Sequence, residues 1–170
     1  MITSVVKEPD PILHSAAKQV EKVNADILRL VERMIQTMHA ARGVGLAANQ
    51  IGSDLAILVA SPDGVRGKEL VLINPSITKR EGKTVSPEGC LSLPGVSSEV
   101  TRAAKVTATG LDRAGGKIKI EADKLLAKIL QHEVDHLSGK LFVDRIGPWK
   151  RRKLLKEYAS ISQTLGRVKL

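Results

Sequence analysis

Aromatic side chains are scarce: the 170 residues hold one Phe, one Trp and one Tyr. Leu, Ile, Val and Ala must therefore fill the core. Cysteine is scarcer still in effect, because a single Cys90 excludes any intrachain disulfide and makes a reducing cytoplasm the simplest home. No apolar run approaches the roughly 18 residues that a membrane helix needs. The opening Met1-Ile2-Thr3-Ser4-Val5-Val6-Lys7 lacks a basic start, an apolar core and a cleavage site, so it is not read as a signal peptide. Repeats, low-complexity tracts and linkers are missing too. What is left is the expectation of one domain, long enough for a sizeable core.

What is present in excess is positive charge. The formal net charge is +9, and it is unevenly placed. Residues 149–170 carry Lys150, Arg151, Arg152, Lys153, Lys156, Arg167 and Lys169 against Glu157 alone. A basic tail on a mildly charged body suggests a polyanionic partner.

Periodicity supplies the elements. Asp10-Pro11 predicts a turn opening a short helix. Asn24 can cap a longer one, with Ile27, Val31, Met34, Ile35 and Met38 at helical spacing. Gly43 is expected to end it, since glycine tolerates the left-handed conformation there. Residues 55–60 and 70–73 read as strands, the second broken by Asn74-Pro75. Residues 100–109 and 117–120 alternate apolar and polar, with a turn at Ala114-Gly115-Gly116. Residues 123–137 return to helical spacing, through Leu126, Ile129 and Leu130. Residues 140–146 read as a short strand. Gly147-Pro148 then starts a final helix with an apolar stripe of Leu154, Leu155, Tyr158, Ile161 and Leu165. Strands gathered between helices, without regular alternation, predict an α+β fold: small antiparallel or mixed sheets around a central helix, with a C-terminal helix.

The strongest chemical signal is His132-Glu133-Val134-Asp135-His136, an HExxH pattern. At about 100° per residue the two imidazoles lie one turn apart, within reach of one metal ion. Glu133 sits at the edge of the same face, where it can address a water. His14 and His39 have no partner pattern and read as structural or solvent-facing. A catalytic divalent site usually takes three protein ligands. No histidine follows His136, Glu157 is the only glutamate left, and Asp144 lies past a Gly-Lys turn. The third ligand is therefore expected upstream, with Cys90 in Glu88-Gly89-Cys90-Leu91-Ser92 the foremost candidate.

Three segments together resemble the motifs of bacterial-type peptide deformylases. They are Gly43-Val44-Gly45-Leu46-Ala47-Ala48-Asn49-Gln50, Glu88-Gly89-Cys90-Leu91-Ser92 and Gln131-His132-Glu133-Val134-Asp135-His136-Leu137. In this order and spacing they are very specific. The resemblance implies hydrolysis of the N-formyl group of N-formylmethionyl nascent polypeptides during translation. It implies one divalent ion on Cys90, His132 and His136, with Fe²⁺ expected in the cell and Zn²⁺, Ni²⁺ or Co²⁺ able to replace it. Glu133 would move the protons, while the Gln50 amide and the Leu91 N–H would stabilise the oxyanion. The nascent chain would be held like an added strand through Gly43, Val44, Gly45 and Gly89. Glu88, Leu125 and Ile129 would contribute near the methionine pocket, although simple helix packing would also explain Leu125 and Ile129. Asp135 reads either as a support for a neighbouring ligand or as an ion-pair partner, for instance of Arg102.

By the same resemblance, residues 1–147 form the catalytic domain. Residues 148–170 form a basic helical extension that packs on it and docks at the ribosome near the exit tunnel. A solvated helix held by its apolar side is the plainer alternative. Three rival functions share some of these residues. A zincin-type endopeptidase leaves Cys90 and Gln50 without a role. An RNA-binding protein with a structural metal leaves Glu133 without one. A cysteine hydrolase built on Cys90 would survive metal removal.

Overall fold

The computed structural model describes residues 2–167, with side chains through Thr164. After a short 3-10 turn at Pro11–His14, helix α1 spans Ala25–Ala40. The Asn24 side chain accepts from the Asp26 and Ile27 N–H groups at 3.0 Å, a cap worth about 1 kcal/mol. The helix does not end as predicted. Arg42, not Gly43, takes the left-handed conformation, with φ of 55°. Its N–H donates to His39 O and that of Gly43 to Met38 O, a Schellman closure with glycine one place late. Gly43 is small for another reason, since a Cβ there would lie 2.9 Å from Leu91 Cδ1.

Seven strands follow: β1 (Gly45–Ala47), β2 (Ile57–Ala60), β3 (Leu70–Glu81), β4 (Thr84–Cys90), β5 (Leu93–Arg102), β6 (Lys105–Leu111) and β7 (Lys117–Asp123). Five make an antiparallel sheet in the order β1-β2-β3-β6-β7, and β4 pairs with β5 in a separate ribbon. Helix α2 is Lys124–Leu137 and α3 is Pro148–Arg167. The α+β expectation holds, with the HExxH helix between the two sheets.

The continuous apolar runs in β2 and β3 are explained by burial on both faces. Ile57, Val59, Val71 and Ile73 face α1, while Leu58 and Leu72 face α2. A third cluster joins Leu93, Val96 and Val100 of β5 to Leu141, Phe142, Leu154 and Tyr158. Here the stripe of α3 is buried as predicted through Tyr158, with Leu155 and Ile161 partly buried, whereas the Leu165 side chain and Lys169 lie outside the described residues.

Three predicted strand boundaries are corrected. Asn74-Pro75 does not break β3. Asn74 adopts φ of 53°, its amide exchanges two hydrogen bonds with the Val20 backbone, and Pro75 sits in a register shift where its missing N–H does no harm. The run 100–109 is two strands, because the chain changes sheets at Ala103, pinned there by the Gln131 amide at 3.0 Å in both directions. Residues 140–146 are not a strand. Phe142–Arg145 is a 3-10 turn closed by Asp144 on the Leu141 N–H, and its apolar residues are buried on every side. Among the described residues no helix is long and apolar enough to cross a membrane.

Candidate active site

Two sides of α2 do different work. Ala127, Leu130 and Leu137 pack into the five-stranded sheet, while His132 and Asp135 reach the β4–β5 ribbon. Cys90 ends β4 just after a register shift at Gly89, which turns its side chain towards the helix. Cys90 Sγ lies 3.1 Å from His136 Nε2, and the ligand atoms of Cys90, His132 and His136 all fall within 4.8 Å of one another. Burial pushes the Cys90 thiol up, but the His136 and His132 rings outweigh it and hold the group well below its ordinary value. A thiolate with two imidazoles suits a divalent transition ion, so the residues present fit one.

The support behind these donors is ionic. His132 Nδ1 faces Glu88 Oε2 at 3.0 Å, which leaves Nε2 for a metal. Arg102 grips Glu88 through Nε and Nη2 at 2.8 and 2.9 Å, and its Nη1 donates to Asp135. Arg145 closes the far side of Asp135. Burial alone would raise the Glu88 carboxyl, yet its bonds to Arg102 and His132 bring it down to about 2. Asp135 thus has both roles the sequence left open: it pairs with Arg102, and Arg102 steadies Glu88 behind His132.

Gln50 is oriented by its own turn. Its Oε1 accepts from the Ala47 N–H at 2.9 Å, so Nε2 points at Ser92 Oγ (3.2 Å) and Cys90 Sγ (3.5 Å). The donor end of the amide therefore faces Cys90, one of the candidate metal ligands. Glu133 is 4 % exposed, and its Oε2 has no partner among the described residues. A Cβ at Gly45 would lie 2.5 Å from Glu133 Oε1 and 2.6 Å from Ile129 Cγ2, so only glycine lets β1 lie against this carboxylate.

A cleft of about 420 Å³ opens over this centre. It is lined by Gly43, Val44 and Gly45 on one side and by Glu88, Gly89, Cys90 and Leu91 on the other. Leu125, Ile129, His132 and Glu133 line it from α2, and Gln50 completes it. Of the site residues named from the sequence, His136 alone does not line it; wholly buried, it faces Cys90 from behind. Val44 and Leu125 stay 43 % and 44 % exposed, an apolar rim of the kind that marks a binding surface.

Several supporting contacts had no sequence signal, although Asn49 and Ser92 stand within the sequence motifs. Lys7 Nζ donates to Leu91 O at 2.5 Å across 84 positions, fixing the turn after Cys90. Asn49 Nδ2 donates to His136 O at 2.6 Å. Arg145 and Ser92 likewise became visible only once the chain was folded. His14 and His39, read as structural or solvent-facing, pair with Glu8 and Glu69, and neither lines the cleft.

Comparison with known proteins decides what this arrangement belongs to. The family profile described as polypeptide deformylase matches residues 2–152. The chain belongs to the polypeptide deformylase family. It is 45 % identical to a peptide deformylase of Thermodesulfovibrio yellowstonii over 159 residues, 92 % of this chain and 96 % of that one. The crystal structure of a peptide deformylase from Legionella pneumophila superposes with a TM-score of 0.94 at 41 % identity, covering 98 % of this chain and 99 % of the other. A peptide deformylase of Ehrlichia chaffeensis solved with actinonin gives 0.85 at 38 % identity, over 92 % and 95 %. The deformylase is thus a hydrolase that removes the N-formyl group from nascent peptides, in a family of metalloenzymes.

Proposed function

We propose that Cys90, His132 and His136 hold a single Fe²⁺ in the cell, and that Glu133, Gln50 and the Leu91 N–H carry out formyl hydrolysis beside it. The observation that carries this reading is the convergence of one thiolate and two imidazoles beneath the cleft, next to a buried carboxylate with a free oxygen. A bound divalent ion would supply Lewis acidity and make a water acidic enough to react near neutral pH. Glu133 takes the proton of the attacking water and passes it to the departing amine. The Gln50 Nε2 and the Leu91 N–H donate to the oxygen that gains charge. Gly43, Val44, Gly45 and Gly89 hold the peptide backbone as an extra strand, which suits an enzyme that meets many sequences. Leu125 and Ile129 receive the methionine side chain, with Glu88 beside them.

The test is formate release from a formyl-Met peptide by protein prepared without oxygen. Fe²⁺ and Ni²⁺ forms are expected to turn over, and the chelated protein to lose activity until metal is restored. The Fe²⁺ form should decay faster in air, because a ferrous thiolate site is oxidisable. Activity that survives verified metal removal would favour a Cys90 nucleophile instead.

The same reading makes residues 1–147 the catalytic body and 148–170 a basic helical extension packed on it, in a cytoplasmic enzyme. Lys150, Arg152 and Lys153 are exposed while Leu154 and Tyr158 are buried, so the basic side of α3 is free for RNA phosphates near the ribosomal exit tunnel. Neutralising Lys150, Arg151, Arg152 and Lys153 should abolish salt-sensitive ribosome binding in a sedimentation assay. Undiminished binding by that variant would remove the ribosomal role.

A further inference from the structure

The carboxylates of the cleft are buried or already paired, whereas its cations are unpaired among the described residues. Among the described residues that line it, Glu88 and Glu133 are the only acids. Glu88 is spent on Arg102 and His132, and Glu133 is buried. Arg42 and Lys128 line the same cleft, and neither has an ion-pair partner among the described residues. Arg42 is exposed and held by the closing turn of α1 in a left-handed conformation that long side chains rarely adopt. Lys128 is half-buried on α2, one turn before His132 and between Leu125 and Ile129. Two unpaired cations thus line the cleft that opens over Cys90, His132 and Glu133.

Resting on the deformylase function, we propose that Arg42 and Lys128 are specificity-determining residues. They select formyl-Met chains with acidic side chains at the second or third residue. Side chains of an extended peptide alternate between opposite sides, so with methionine in the pocket the next two residues meet the two rims. A carboxylate there finds a free cation, and a lysine there meets like charge. Each such pair is worth up to about fivefold and the two together up to about 25-fold, so a spread on the order of tenfold is expected.

The experiment compares kcat/KM of the holoenzyme for formyl-Met-Glu-Glu, formyl-Met-Ala-Ala and formyl-Met-Lys-Lys. The expected order is acidic, neutral, basic, spread about tenfold, carried mostly by KM and collapsing near 1 M salt, where screening reaches about 3 Å. The double variant Arg42→Asn/Lys128→Gln should shrink the spread to about twofold. Asparagine tolerates the left-handed conformation and glutamine suits a helix, so both changes keep the backbone. A second variant, Lys128→Glu, should weaken or invert the order. A flat series in the parent, or an unchanged order in the double variant, overturns the proposal; the latter would assign the preference to the chain's overall charge. Failure to turn over formyl-Met-Ala-Ala would instead count against the deformylase function itself.

Discussion

A Glu133→Gln protein is expected to fold and bind its metal like the parent while deformylating about 10²–10⁴-fold more slowly. The carboxylate is buried, and burial pushes it up from its ordinary value of 4.5, towards the range where a group can both take and return a proton. Glutamine keeps the shape, and so the contact with Gly45, but cannot accept the proton. The fall should appear in kcat with KM little changed, since Glu133 acts on the water rather than holding the peptide. Stability should be unchanged or higher, because a buried carboxylate oxygen without a partner is replaced by a neutral group. Metal content by elemental analysis, thermal melting and formate release together check this. Turnover within tenfold of the parent, in fully metal-loaded protein, would remove Glu133 from the proton transfer.

The second large effect is on stability. Arg102→Met should cost about 3–5 kcal/mol, because buried Glu88 loses its main partner and buried Asp135 one of its two arginines. In a chain of this size that lowers the melting temperature by on the order of 10 °C. It should also weaken metal binding by about 10–100-fold, since Glu88, which orients His132, is no longer held by Arg102. Acid behaviour gives a further check. The folded Glu88 is held at about 2, below its ordinary 4.5. Its contribution is therefore present above about 4.5 and is lost as pH falls towards 2. That loss should be smaller in the variant, whose Glu88 has already lost its main partner. A melting temperature within about 2 °C of the parent would show that the network adds little.

The metal centre was legible because its chemistry is local. His132 and His136 sit one helical turn apart with Glu133 at the edge of the same face, so spacing alone groups them on α2. Cys90 and Gln50 lie far off in sequence. Cys90 could be named by elimination and Gln50 through the resemblance of its motif, but spacing alone does not bring either to the helix. The fold class was legible for a similar reason, since periods of 3.6 and 2 are written into neighbouring residues.

The boundaries failed where a local pattern had two readings. Residues 100–109 read as one roughly alternating run, and the Gln131 amide on Ala103 marks where the chain leaves one sheet for the other. Leu141, Phe142 and Val143 look like a strand because they are apolar in a row, yet a turn buried on all sides needs the same composition. Gly43 was read as a helix terminator, but its size answers to Leu91 across the cleft.

By itself, then, the sequence determined which residue types could bind a metal and move a proton, because those requirements are met within one helix and a few short motifs. Tertiary structure decided what surrounds them: Arg102 between Glu88 and Asp135, Lys7 on the Leu91 carbonyl, and Arg42 and Lys128 unpaired at the rim. These depend on distances between segments up to 84 positions apart, and such distances are set by how helices and sheets pack rather than by any neighbour along the chain.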